Sequence, residues 1–261
     1  MRNALTIAFT GLLLFQAKAG AEEWNKHWTV GPKPELHIVA GDASVQVEAG
    51  EENAIDATVK THGYSIGPSG VRIVEHQSGN RVDLEIREPS MHFSFGMHSI
   101  RVEVRVPREL AAEIHTGDGS IVLHGLHGAL RVDTGDGSIQ GEDLDGSLTA
   151  HSGDGSVHMR GRFDSLELHT QDGSVEVQAF RGSRMSSDWK VETGDGSVHL
   201  ALPHDLSADV ELQTGDGSIH LDLPVTVNGM RSEHELRGKL NGGGPLLRVR
   251  TGDGSIAVNS I

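Results

Sequence analysis

The 261-residue chain contains no cysteine, which excludes disulfide bonds, thiolate metal sites and lipid attachment through a cysteine. Aromatic residues make up only 4% of the chain and hydrophobic residues 36%, too few for a large globular core. Glycine, by contrast, reaches 34 residues. This composition favours an elongated fold in which each strand adds one row of small aliphatic side chains to a thin, shared core.

Long hydrophobic runs are absent except at the N-terminus. Arg2 is followed by an apolar run from Ala4 to Phe15 and then by small residues at Ala19 and Ala21. A positive start, a short hydrophobic segment and a small-residue cleavage site are typical of a secretory signal peptide. We therefore expect residues 1–21 to direct export to the periplasm, the cell surface or the medium. No other stretch approaches the ~18 apolar residues of a membrane-spanning helix.

Positive charge is also scarce. Removing the signal takes away Arg2 and Lys18 and no acidic residue, so the net charge of the remaining chain is 20 − 37 = −17. Such a chain repels phosphate backbones, which argues against nucleic acid or an anionic membrane surface as the main partner. A cell-surface protein or a neutral glycan remains a candidate partner.

A short phrase recurs along the second half of the chain. Four copies, TGDGS or a close variant, start 18 residues apart, and three more follow at spacings of 23, 21 and 37 residues. The seven copies start at Thr116, Thr134, Ser152, Thr170, Thr193, Thr214 and Thr251. A degenerate eighth copy, GDASV, starts at Gly41. A constant short period predicts a β-helix or β-solenoid with rungs of ~18 residues, in which each rung buries its apolar face against its neighbours.

The residues around each phrase alternate between apolar and polar, which predicts a strand on either side of it. The inward residues are expected to be Ile114, Val132, Ala150 and Leu168 before the phrase, and Ile121, Ile139, Val157 and Val175 after it. The glycines of GDG are expected to supply positive φ, and the aspartate to fold its carboxylate onto backbone N–H groups. A rung is thus a strand, a GDGS corner, a second strand and a second corner such as GLHG or EDLDG.

The domain organisation follows from these patterns. Residues 1–21 form the signal, 22–33 a polar lead-in, and 34–110 an N-terminal β region that continues into the repeat solenoid of residues 111–261. Because the chain stops just after Val258, we expect its last rung to lie at the end of the stack. The charged, glycine-rich segment from Val225 to Pro245 is then expected to form a loop or hairpin that caps this end.

Three passages resemble a known family: LHIVAGDASVQV from Leu36, IRVEVRVPRELAAEIHTGDGSI from Ile100 and LRGKLNGGGPLLRVRTGDGSIAV from Leu236. Together they resemble the putative-adhesin family of exported bacterial domains, whose biochemical function is undefined. The resemblance covers most of residues 34–258. It implies a β-helix-like fold and an extracytoplasmic location, and it brings no catalytic residues with it.

Stacked rungs place equivalent residues in columns, and three sets of side chains are candidate ligands for metal ions. The corner carboxylates are candidate ligands for calcium, although one aspartate per rung supplies few oxygen ligands. We therefore expect these aspartates to have a structural role in the corner. Histidines mixed with carboxylates would suit zinc or copper, although flat columns do not converge on one point. The corner column begins with Asp118, Asp136, Asp154 and Asp172. The two histidine columns are His115, Asp133, His151 and His169, and His158, Glu176, His199 and His220.

The third candidate is the stretch MHFSFGMH, which contains Met91, His92, Met97 and His98. Thioether and imidazole groups are ligands of copper. We favour a hairpin whose Met and Phe side chains cover the end of the core, and a partner-binding tip is the next interpretation. No cofactor is assigned on these patterns.

The sequence favours a non-enzymatic exported scaffold or adhesin-like binding module. Two alternatives stay open: a glycan-active enzyme on a β-helix, and a periplasmic metal-binding protein. A cleft with converging carboxylates would favour the enzyme, and convergent His and Met ligands the metal-binding protein.

Overall fold

The computed structural model describes residues 21–89, 98–223 and 225–261, and for residues 227–231 it describes the backbone only. These ranges contain strands, turns and loops and no helix, and hence no helix that could span a membrane. The all-β prediction is confirmed. The strands are β1 (Glu22–Thr29), β2 (Glu35–Val39), β3 (Ser44–Ala49), β4 (Ala54–His62), β5 (Arg72–Ser78), β6 (Arg81–Arg87), β7 (Ser99–Val106), β8 (Glu109–Thr116), β9 (Ile121–His124), β10 (His127–Thr134), β11 (Ile139–Ser152), β12 (Val157–Thr170), β13 (Val175–Ala179), β14 (Trp189–Thr193), β15 (Val198–Leu202), β16 (Ala208–Thr214), β17 (Ile219–Asp222), β18 (Val225–Arg231), β19 (Glu235–Leu240), β20 (Leu246–Thr251) and β21 (Ile256–Ser260).

The strands on the two sides of the GDGS corners form two walls of parallel strands around one core. The pre-corner wall pairs in the order β6, β2, β8, β10, β11, β12, β14, β20, β16. The post-corner wall pairs in the order β7, β3, β9, β11, β12, β13, β15, β21, β17. The result is a β-solenoid-like stack in which each strand between the two ends of a wall bonds to a strand on either side.

The segment EDLDG, residues 142–146, does not form the separate second corner that the repeat pattern predicts. This segment lies inside β11, which contributes its first residues to the post-corner wall and its last residues to the pre-corner wall. Register shifts at Gly141/Leu144 and at Gly146/Ser147 bend the strand without ending it. Gly146 and Asp143 take positive φ, which lets the chain turn while it keeps most of its ladder hydrogen bonds.

The stacking order departs from the chain order at both ends. The last rung of the chain, β20 and β21, lies between the rung of β14 and β15 and the rung of β16 and β17. The expectation that this rung ends the stack is therefore wrong. The first rung, β2 and β3, lies in the same way between the rung of β6 and β7 and the rung of β8 and β9.

Antiparallel strands cover the ends of the stack. At the N-terminal end β4 pairs with β7, β1 pairs with β4, and β5 pairs with β6. The predicted polar lead-in thus contains a strand, β1, whose Trp28 is buried. At the other end β19 pairs with β16, and β18 pairs with β19. The segment expected to be a loop or hairpin is a hairpin, and the edge it covers belongs to β16.

The core is a continuous row of small aliphatic side chains, as the alternation predicts. Ile139 and Val157 are fully buried, whereas Gln140 between the same corners is exposed. Larger side chains occur where the rungs are longer: the rings of Phe163 and Trp189 meet edge to face with centroids 6.4 Å apart. Adjacent rungs therefore share one apolar interior.

The GDGS corners stack through backbone hydrogen bonds. The N–H of Gly135 donates to the carbonyl of Gly117 over 2.5 Å, and Gly153 donates to Gly135 over 2.5 Å. None of the glycines in the seven motif copies has positive φ, so the expectation that φ requires them is wrong. The requirement is close approach: a Cβ on Gly155 would overlap the carbonyl oxygen of Gly137 in the neighbouring rung.

Candidate functional site

The corner aspartates form one exposed column along the edge of the stack. Asp118, Asp136, Asp154 and Asp172 are exposed, as are the three later members of the column, Asp195, Asp216 and Asp253. Across the described ranges none of these carboxylates accepts a hydrogen bond, so the expected bonds to backbone N–H groups are wrong. The buried threonine or serine that opens each motif copy bonds to the backbone in their place.

The first histidine column is assembled as expected on the outer face of the pre-corner wall. His115, Asp133, His151 and His169 are direct neighbours on β8, β10, β11 and β12. The Nδ1 atom of His151 lies 2.8 Å from Oδ1 of Asp133, and the rings of His151 and His169 lie edge to face with centroids 6.2 Å apart. Arg131 lies 3.3 Å from the other oxygen of Asp133, whose side chain is only 14% exposed. The carboxylate is therefore held between a histidine and an arginine.

The second histidine column is only partly assembled. His158, Glu176 and His199 are neighbours on β12, β13 and β15, and Nδ1 of His158 lies 3.3 Å from Oε2 of Glu176. Ala257 separates His199 from His220, because β21 lies between β15 and β17. The expectation of four adjacent members is therefore wrong for His220.

Metal-ligand geometry is not found in the described ranges, where no three histidine or acidic side chains are placed to hold one ion. The histidines and carboxylates of each column lie side by side on a wall. Of the MHFSFGMH candidates, Met91, His92 and Met97 lie outside the described residues. His98 is described, and its ring lies 4.8 Å from that of Tyr64.

One charged cluster was missed by the sequence reasoning. Glu211 on β16 has a side chain only 15% exposed and lies among Arg237, Arg248 and Arg250. The hydrogen bond from Arg250 over 3.0 Å, with the charges of Arg248 and Arg237, holds the pKa of Glu211 below its usual range. These residues come from three strands whose adjacency follows from the inserted last rung, and no sequence spacing indicates it.

The described cavities are small or open to solvent. The largest of those described, about 890 Å³, lies between the last corner and the turn of the β18–β19 hairpin. Its lining includes Asp216, Glu233 and His234. The Nδ1 atom of His234 lies 3.0 Å from the carbonyl oxygen of Gly217, so this nitrogen is already engaged by the backbone.

Comparison with solved structures gives distant similarity over nearly the whole chain. A putative cell adhesion protein from Clostridium sporogenes is 16% identical, with 92% of this chain and 100% of that chain covered and a TM-score of 0.41. A putative adhesin from Parabacteroides merdae is 12% identical, with 92% and 96% covered and a TM-score of 0.47. A putative lipid binding protein from Parabacteroides distasonis is 14% identical, with 92% and 96% covered and a TM-score of 0.35.

No curated protein matches the chain. The family model described as Toastrack DUF4097 matches twice, over residues 34–185 and over residues 111–259, and the two matches together span most of the chain. The family match agrees with the resemblance that the three motif passages indicate. The chain belongs to the Toastrack DUF4097 family.

Proposed function

We propose that this protein is an exported, non-catalytic β-solenoid with rungs of ~18 residues that acts as a rigid binding module of the adhesin type. The observation that carries the proposal is the outer face of the pre-corner wall. There His115, Asp133, His151 and His169 stand side by side over a continuous buried core.

The chemistry of this column suits a neutral, hydroxyl-rich partner. Imidazole rings present a flat apolar face together with nitrogen atoms that donate or accept hydrogen bonds. Asp133, whose second oxygen is buried, orients the ring of His151 through its first. The four strands that carry the column, β8, β10, β11 and β12, are each hydrogen-bonded on both sides. Their side chains are therefore held at a spacing of ~4.8 Å before the partner binds. These side chains then lose less conformational entropy when the partner binds. The net charge of −17, from 20 − 37, disfavours polyanionic partners.

The test is a binding assay with residues 22–261, the chain without its signal. We expect saturable binding to one class of neutral glycan on an array, and little binding to heparin-like polyanions. Replacing His151 and His169 together by alanine should weaken binding at least about tenfold, as expected for the loss of two central contacts. The matched control is His158→Ala on the other wall, which should bind as the unmodified chain does.

Failure to bind any neutral glycan or exported surface protein would overturn the proposal, as would equal loss in the control. Release of shortened glycan during the assay would instead favour the enzymatic alternative. Exported location is tested separately by fractionating cells that express the full chain, where retention in the cytoplasm would contradict it.

A further inference from the structure

Seven described corners of the stack each have a buried carbonyl that accepts a hydrogen bond from a hydroxyl of the next rung. The hydroxyl of Thr134 donates to the carbonyl of Gly119 over 3.0 Å, and that of Ser152 donates to Gly137 over 2.9 Å. The remaining pairs are Thr116 with Ala43, Thr170 with Gly155, Thr193 with Gly173, Thr251 with Gly196 and Thr214 with Gly254, at 2.7–3.0 Å. The threonine ladder, as we name these seven pairs, satisfies carbonyls that the stacking removes from water.

The last corner of the stack has no next rung. It is the corner between β16 and β17, since the rung of β20 and β21 has been inserted before it. The carbonyl of Gly217 here has the same motif position as those of Gly119 and Gly137, but its hydrogen bond is exposed where theirs are buried. Its partner is Nδ1 of His234, 3.0 Å away, and the backbone carbonyl of His234 accepts the N–H of Thr214 over 3.0 Å.

We propose that His234 ends the threonine ladder: its imidazole takes the position that the hydroxyl of the following rung takes at the seven corners of the ladder. Donation requires a hydrogen on Nδ1, which both the Nδ1–H tautomer and the imidazolium provide. The hairpin therefore closes the stack through one specific donor as well as through strand pairing. This inference does not depend on the proposed binding function.

The local sequence places this imidazole. β19 pairs with β16 in a register that sets Glu235 opposite Gln213, so His234 lies next to the start of the last corner. The hydroxyl of Ser232 accepts the N–H of Glu235 over 2.9 Å and that of His234 over 3.3 Å, which tightens the turn. The backbone carbonyl of Glu235 in turn accepts the N–H of Ser232 over 2.9 Å.

The connection from β17 to β18 keeps the hairpin at this end. Asp222 and Val225 are the facing ends of the two strands. Three residue steps span at most about 11 Å, so β18 has to begin close to the end of the post-corner wall. A hairpin tethered so closely cannot move far from the last corner, and the contact between His234 and Gly217 decides how it is seated there.

The experiment compares three replacements of His234 in the chain without its signal, using amide hydrogen exchange. The side-chain amide of asparagine can occupy the position of Nδ1, whereas that of glutamine reaches further, towards the position of Nε2. The amide of Thr214 is the reporter, because it bonds to the backbone of residue 234 in every variant. His220→Ala is the control, since His220 is exposed on β17 of the same rung.

We expect the Thr214 amide to exchange roughly fivefold faster in His234→Ala and His234→Gln, the effect of one ordinary hydrogen bond. In His234→Asn and in the control it should exchange at the rate of the unmodified chain. The proposal is overturned if the alanine and glutamine variants exchange at the unmodified rate. It is equally overturned if the asparagine variant exchanges as fast as the alanine variant, because then packing of the ring, not its Nδ1 donor, seats the hairpin.

Discussion

Replacing Gly155 by alanine tests whether the corners need glycine for close approach. Gly155 has no positive φ, so the backbone conformation itself admits alanine. The added methyl group would, however, overlap the carbonyl of Gly137, and would lie 2.8 Å from the nitrogen of Ser138. Both contacts are to backbone atoms of the neighbouring rung, which have no rotamer to change.

The magnitude follows from the bonds that the two corners share. To bring the added methyl carbon and the Gly137 oxygen to a van der Waals distance of ~3.5 Å, the two corners have to separate by roughly 1.4 Å. Three hydrogen bonds cross this boundary nearby: Gly153 N–H to Gly135, Ser152 hydroxyl to Gly137, and Ile139 N–H to Ser156. At about 1 kcal/mol each, the free energy of unfolding falls by about 3 kcal/mol. For a chain of this size that lowers Tm by roughly 6–12 °C.

The assay is thermal denaturation followed by circular dichroism, with calorimetry as a check on reversibility. Ser156→Ala is the matched control, because it changes the next residue and leaves the spacing of the corners untouched; its Tm should stay within about 2 °C of the unmodified value. Ala43 occupies the equivalent position in the degenerate copy, where the neighbouring rung on that side has no GDGS corner. If Gly155→Ala melts within 2 °C of the unmodified chain, close approach does not explain the glycine.

Three further predictions concern the core, the arginine cluster and the corner column. Ile139→Asp should abolish the cooperative melt or lower Tm sharply, because an unpaired charge enters the core at a cost of several kcal/mol, whereas Gln140→Asp on the outer face should melt normally. Glu211→Gln should cost about 1–2 kcal/mol in denaturant unfolding at pH 7. Because the pKa of Glu211 is lowered in the folded state, its contribution is present above ~4.3 and fades as the pH falls through the folded value. An equal cost at pH 7 and pH 3 would contradict this account. Millimolar calcium should raise Tm no more than matched ionic strength does, because each corner offers a single exposed carboxylate, and a saturable calcium-specific rise would show a site instead.

The sequence predicted those features that depend on neighbouring rungs of equal length. Alternation assigned Ile139 to the core and Gln140 to solvent, and the regular spacing brought His115, Asp133 and His151 into one column. Both inferences need only the period-two strand and a constant repeat. They hold because parallel strands of equal rungs pair in register.

The features that the sequence did not predict depend on stacking order or on backbone proximity. A spacing of 37 residues before Thr251 does not determine on which side of β16 the last rung pairs. The sequence therefore predicts neither the separation of His220 from His199 nor the cluster at Glu211. The role of the corner glycines was misread because a glycine next to an aspartate usually marks a turn with positive φ. Here the space occupied by the neighbouring carbonyl decides the residue.

The insertion of the last rung before the β16 rung determines both where the threonine ladder ends and which arginines surround Glu211. The chain has no cysteine, so introduced pairs can be oxidised without competing thiols. Glu192 and Arg250 are neighbours across β14 and β20, whereas Gln213 lies one strand further, about 10 Å from Glu192 at ~4.8 Å per strand. A disulfide requires Cα atoms within about 7 Å. We predict that Glu192→Cys with Arg250→Cys forms the bond in the folded protein and that Glu192→Cys with Gln213→Cys does not. The opposite result would show that β16, and not β20, lies next to β14.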